Sequence, residues 1–157
     1  MSADYDLRSD ITMPVNGVLA TLSATTAGAA VDNSGFNGVT HGWYVGIGGI
    51  TFSGTNRIDI VAEESDDGST WVAITDSEAL IFPYGMSLGA SGIITSYIAA
   101  KAAADTSYNL VGYRGKKQYS RLKALFGGTH GSGTPIEFIA IKSHPISKPV
   151  WQTSIEV

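Results

Sequence analysis

The stretch "RIDIVAEESDDGSTWVAIT", residues 57–75, decides the fold of this 157-residue chain. Its first half alternates. Ile58, Ile60 and Ala62 fall on one side; Arg57, Asp59, Val61 and Glu63 fall on the other. That period of two marks a strand with one side buried. Its end, "TWVAIT" (70–75), is β-branched and aromatic and reads as the return strand. Between the two halves, acidic residues run into Gly68. Asp67-Gly68 is a turn pair, because glycine accepts a positive φ without a Cβ clash. Ser65 and Asp66 offer side-chain oxygens to the turn backbone. Trp71 is expected to pack back over the hairpin, so Asp67, Gly68 and Trp71 are read as turn and structural residues.

Two sharper readings of the same residues fit less well. An EF-hand loop needs oxygen ligands at alternating positions over a longer stretch that closes on a Glu. Here Asp67 is followed by Gly68, Ser69, Thr70 and Trp71, with no carboxylate in register. The sialidase-type Asp box, Ser-x-Asp-x-Gly-x-Thr-Trp, is one residue short between Asp67 and Gly68, and the complete motif is itself a structural turn. No metal and no cofactor is expected.

Outward from the hairpin the strand pattern recurs at 18–23, 39–48, 108–113, 118–126 and 135–143. In the fourth of these, Ser120, Leu122, Ala124 and Phe126 share one face, and Tyr119, Arg121 and Lys123 share the other. Residues 25–38 are turn-rich, and "GGTHGSGT" (127–134) reads as a hairpin connection. Residues 80–107 form a long excursion whose Ala-rich part, 98–104, is long enough for two helical turns. Pro145 and Pro149 argue against a central strand after residue 143. The fold class that follows is all-β: an antiparallel β-sandwich or barrel-like domain over 18–146. An extended N-terminal arm (1–17) precedes it, one long loop with room for a short helix interrupts it, and a C-terminal tail (147–157) follows it.

Composition narrows the chemistry. The chain has no Cys, which excludes disulfides, thiolate metal sites and a cysteine nucleophile. Gly is 19 of 157, about 12% against a usual 7% or so, as many tight turns require. Charged residues are only 15%, which points to a surface partly hidden against a partner. Acids crowd between Asp59 and Glu78, and bases between Arg114 and Lys123, so two electrical poles are expected. The net charge of −4 argues against a nucleic-acid partner, although Tyr113 and Tyr119 interleave with the basic run. The first ten residues are polar and acidic, unlike a signal peptide, and no run of about 18 apolar residues predicts a membrane span. His41, His130 and His144 lack metal-ligand spacing. No Gly-x-Ser-x-Gly elbow is present, and the Gly-rich stretches at 46–49 and 127–133 do not continue into Gly-Lys-Ser/Thr. No enzymatic activity is expected.

The order of motifs resembles a family of small structural proteins of tailed bacteriophages, the capsid decoration or cement proteins. The pattern falls on Asp32, Gly35 and Phe36, then on Glu64 to Gly68. It continues on Gly112, Tyr113, Gly115, Lys117, Tyr119, Arg121 and Leu122, and ends on His144 and Pro145. It covers about 30–80 and 108–150 of the chain. Residues 83–107 run longer than the pattern, and Ser120 stands where a β-branched residue is usual.

The resemblance implies a non-enzymatic virion protein on the capsid exterior, assembled in the bacterial host cytoplasm. Its partners would be the major capsid protein and its own copies, as a homotrimer, with no nucleic acid and no membrane. The expected capsid or inter-subunit contacts are Tyr5, Leu7, Arg8, Tyr84, Met86, Arg114, Lys116, Lys117 and Arg121, with Gly115 as a turn residue. Other readings of the same chain are a head–tail connector or tail component, and a glycan-binding module that uses Trp43, Tyr44 or Tyr84.

Overall fold

The computed structural model describes residues 11–12, 19–46, 48–83, 85–98 and 109–145. Among the described residues twelve strands follow one another: β1 (Ile11–Thr12), β2 (Ala20–Leu22), β3 (Thr26–Ala27), β4 (Val31–Asp32), β5 (Phe36–Val45), β6 (Arg57–Ser65), β7 (Val72–Ala73), β8 (Leu80–Ile81), β9 (Ile93–Tyr97), β10 (Asn109–Tyr113), β11 (Tyr119–Gly127) and β12 (Thr134–Pro145). The first sheet runs β1-β12-β5-β10-β8, with β2 also on β12. The second runs β3-β11-β6-β7, with β4 also on β11 and β9 also on β6. Every pairing is antiparallel. The two sheets pack face to face as an open sandwich, so the barrel-like alternative is set aside.

The sandwich is held by alternation on the long strands. Trp43, Val45, Ile136 and Phe138 point inward from the first sheet, and Ile58, Ile60, Leu122 and Ala124 meet them from the second. Each such aliphatic side chain contributes roughly 1.5–3 kcal/mol by leaving water. The outer edges of β6, β11 and β12 are each covered by a pair of short strands: β9 and β7, β3 and β4, β2 and β1. Short edge strands leave little open ladder for unwanted pairing.

Several expectations change here. Residues 127–134 do not close a hairpin. They carry the chain from β11 in the second sheet to β12 in the first, turning at Gly128 and Gly133, both at positive φ. The turn-rich stretch 25–38 contains β3 and β4, which pair with β11. The long excursion contains β9 on the edge of β6; the helical turns expected at 98–104 fall outside the described residues beyond Ile98. Part of the expected arm, Ile11–Thr12, pairs with β12 at Ser143 and Lys142. β12 continues to Pro145, which sits opposite Phe36 at the end of the ladder, where a missing N–H costs least.

Candidate functional site

The acidic stretch does form a hairpin between β6 and β7. Asp67 organises its tip. Its Oδ1 accepts from the Thr70 N–H at 2.7 Å, the Ser69 N–H at 2.8 Å and the Ser65 hydroxyl at 2.9 Å, while Oδ2 accepts from the Thr70 hydroxyl at 3.1 Å. These bonds, with the Thr70 and Ser69 amides foremost, hold the Asp67 carboxyl below the usual carboxylate range. Gly68 follows at φ 70°. Both Asp67 oxygens thus bond the turn, while the neighbouring Asp66 pairs with Lys117.

The expected electrical poles do not exist as separate surfaces. β6 and β11 are antiparallel neighbours, with Glu63 directly opposite Arg121, so the acidic and basic runs neutralise one another on the outer face of the second sheet. Glu63, only 4% exposed, accepts from Arg121 at 2.7 Å and also pairs with Lys123. Asp59 is buried between Arg57 at 3.0 Å and the Ser96 hydroxyl at 2.5 Å. Lys117 pairs with Asp66, which raises the pKa of the lysine. The Trp71 ring lies under the Arg121 guanidinium, 3.9 Å from centroid to carbon, where cation and π face attract.

Polar groups inside the sandwich tie one sheet to the other. Trp43 on β5 donates to the Tyr97 hydroxyl on β9 at 3.0 Å. Tyr113 on β10 donates to Glu64 on β6 at 2.9 Å; burial first, then this bond, raises the pKa of its phenol. His41 on β5 and Ser120 on β11 lie 2.8 Å apart, and the Ser120 hydroxyl donates to Asn33 Oδ1 at 2.9 Å. A serine has one proton to give. Since Asn33 takes it, His41 Nε2 must be the donor to Ser120, and the network fixes the imidazole as the Nε2–H tautomer. Nδ1 is left buried without a partner. Burial lowers the pKa of His41 to about 4. This histidine–serine pair has the composition of an activated nucleophile but not the arrangement. Ser120 is 1% exposed, and no carboxylate orients Nδ1.

The residues named from the sequence as contacts scatter. Tyr5, Leu7, Arg8 and Tyr84 fall outside the described residues. Met86 packs partly buried against the core after a turn at Gly85. Arg121 and Lys117 are engaged within the chain, as above. Arg114 donates through Nε to the Glu78 carbonyl at 2.5 Å. Lys116 is exposed. Gly115 has a packing reason: a Cβ there would lie 2.4 Å from the Tyr113 hydroxyl. Near it, Asn33, Phe36, Val39, Tyr113 and Arg114 line a small open recess. Trp43 is 0% exposed, which removes it as a glycan platform.

The feature that sequence reasoning missed is the outer face of the first sheet. Leu110, Gly42 and Ile139 are paired across β10, β5 and β12. In the next row on the same face, Ile81, Gly112, Thr40 and Ile141 are paired across β8, β10, β5 and β12. A Cβ at Gly42 would meet Ile139 Cγ1 at 2.7 Å and Leu110 Cδ2 at 2.9 Å, so these two side chains converge over the glycine. At Gly112 a Cβ would stand 3.1 Å from Ile81 Cβ. The two glycines flatten the face into an apolar floor on which Ile81 remains 55% and Leu110 43% exposed. The signal was present as Leu and Ile at the alternate, supposedly solvated positions of three strands.

No protein-family model, no curated protein and no solved structure matches this chain.

Proposed function

We propose that this chain is a non-enzymatic structural protein of a tailed-bacteriophage particle, a decoration protein that binds the outside of the major capsid protein lattice as a homotrimer and stabilises the head. The observation that carries this reading is the flat apolar floor of Ile81, Leu110, Ile139 and Ile141 on a sheet face with no covering layer among the described residues. Contiguous apolar surface of this kind marks a face built to be covered. The ordered motif resemblance supplies the identity of the cover. A protein that binds only the assembled shell stabilises it by mass action, and repeated copies gain from multivalency.

The charged hairpin and basic strand contribute less to docking than their composition suggests, because they are paired with each other. Binding should therefore survive high salt, which screens exposed charges and leaves apolar contact intact. The test is co-sedimentation of purified protein with shells that lack it. Wild type is expected to bind at low and high salt. Leu110→Lys, at an exposed position, should fold normally and bind at least about tenfold more weakly, as the loss of one buried leucine implies. Absence of binding by the wild type, or turnover of a substrate by it, overturns the proposal.

A further inference from the structure

We propose that the recess where β5 begins and β10 ends binds the side chain of an aspartate or glutamate on a protein partner, with Arg114 gripping its carboxylate. Three observations lead there. The first is shape. Phe36, Val39 and Tyr113 wall the recess, and Gly38 and Gly115 add no side chain to fill it. Its volume of about 20 Å³ admits a group the size of a methylene. An acidic side chain carries such a group directly beneath its charge.

The second is charge. Of the lysines and arginines among the described residues, Arg57, Lys117, Arg121 and Lys123 lie against carboxylates. Lys142 donates to the Asp32 carbonyl and stands over the Phe36 ring. Arg114 spends only its Nε–H, on the Glu78 carbonyl. Its terminal fork faces no acid of the chain, and Lys116, two residues on, is exposed and also unpaired. A guanidinium fork takes a carboxylate through two parallel hydrogen bonds. The acids nearby are engaged elsewhere. Glu64 accepts from the Tyr113 hydroxyl, Asp66 pairs with Lys117, and Asp76 accepts from the Glu78 N–H. Glu78 itself is exposed and forms no ion pair with Arg114.

The third is preorganisation. The Asn33 N–H donates to the Gln118 carbonyl at 2.7 Å, and its Oδ1 accepts from Ser120 at 2.9 Å. The Arg114 N–H donates to the Ala79 carbonyl at 2.9 Å, and the Tyr113 hydroxyl accepts from the Lys117 N–H at 3.2 Å. A site held in place before its ligand arrives loses less freedom on binding. The recess shares no lining residue with the apolar floor, so this contact is separate from the proposed capsid face.

The test uses the isolated full-length protein, labelled with nitrogen-15, at neutral pH and constant ionic strength. Propionate is titrated in, with propionamide as its neutral isostere, and resonances of Gly38, Gly115 and Arg114 Nε–H are followed. Propionate is expected to shift them saturably, and propionamide to bind about fivefold more weakly or worse, as the loss of one ion pair implies. Arg114→Gln, at an exposed position, should weaken propionate by about the same factor and leave propionamide unchanged. If that variant folds poorly, Arg114→Lys takes its place; it keeps the charge, loses the fork, and should also weaken propionate. Shifts that never saturate, equal affinity for the two probes, or equal propionate affinity in wild type and variant overturn the inference. Shell binding plays no part in this assay, so its failure leaves the result standing.

Discussion

Acid should loosen this sandwich through one buried histidine. His41 is neutral in the fold, donates through Nε2 to Ser120 and has no acceptor for a second proton on Nδ1. Its pKa is about 4 in the folded chain against an ordinary 6.5. The folded value lies below the unfolded one, so the unfolded chain binds more protons in between, and stability falls as pH falls. The contribution is fully present above about pH 6.5 and is lost progressively down to about pH 4. A gap of this size corresponds to about 3 kcal/mol. The carboxylates whose pKa values are lowered, Asp32 and Asp67, start from 3.8 and lose their contributions at lower pH. Urea unfolding followed by tryptophan fluorescence at pH 7.5 and pH 4.5 measures the effect. His41→Gln keeps a side-chain N–H for Ser120 but cannot be protonated. The wild type should lose about 2–3 kcal/mol between these conditions and the variant far less. Because His130 and His144 are unchanged in both proteins, the difference isolates His41. Equal losses in the two proteins would refute the reasoning.

Three further substitutions probe separate parts of the structure. Arg121→Met removes the partner opposite Glu63 and uncovers Trp71, and should cost about 2–4 kcal/mol in chemical denaturation, as an under-compensated buried charge does; the double variant with Glu63→Leu should cost less than the single one. Tyr97→Phe deletes the acceptor of the buried Trp43 indole N–H and should lower stability by about 1–3 kcal/mol, read from the urea midpoint. Gly68→Ala forces a side chain into φ 70° and should cost about 1–2 kcal/mol, whereas Gly54→Ala, with open space around it, should leave the melting temperature unchanged.

The β architecture was legible because it rests on alternation. Ile58, Ile60 and Ala62 on β6, and Ser120, Leu122 and Ala124 on β11, point where the period of two places them. The hairpin tip was legible because Asp67 and Gly68 act locally. Which strands become neighbours was not. Glu63 and Arg121 are 58 residues apart in sequence, and only the β6–β11 pairing shows that the two charge runs cancel. The same holds for "GGTHGSGT": a glycine-rich stretch between two strands turns the chain equally well within a sheet or across to the other sheet. The two-residue strands β3 and β4 exist only because β11 offers an edge, so no local pattern announces them. The apolar floor escaped notice for a related reason. Ile81, Leu110, Ile139 and Ile141 are unremarkable singly, and become a surface when three strand pairings bring them into two rows.

The proposed role of this sandwich is to cover a repeating lattice. The most direct measurement is the copy number of this chain relative to the major capsid protein in purified particles, by quantitative mass spectrometry. The account predicts on the order of one copy per capsid subunit, as a lattice-wide symmetric arrangement requires. About a dozen copies per particle, the stoichiometry of a ring at a single vertex, would contradict it, as would absence of the chain from intact heads.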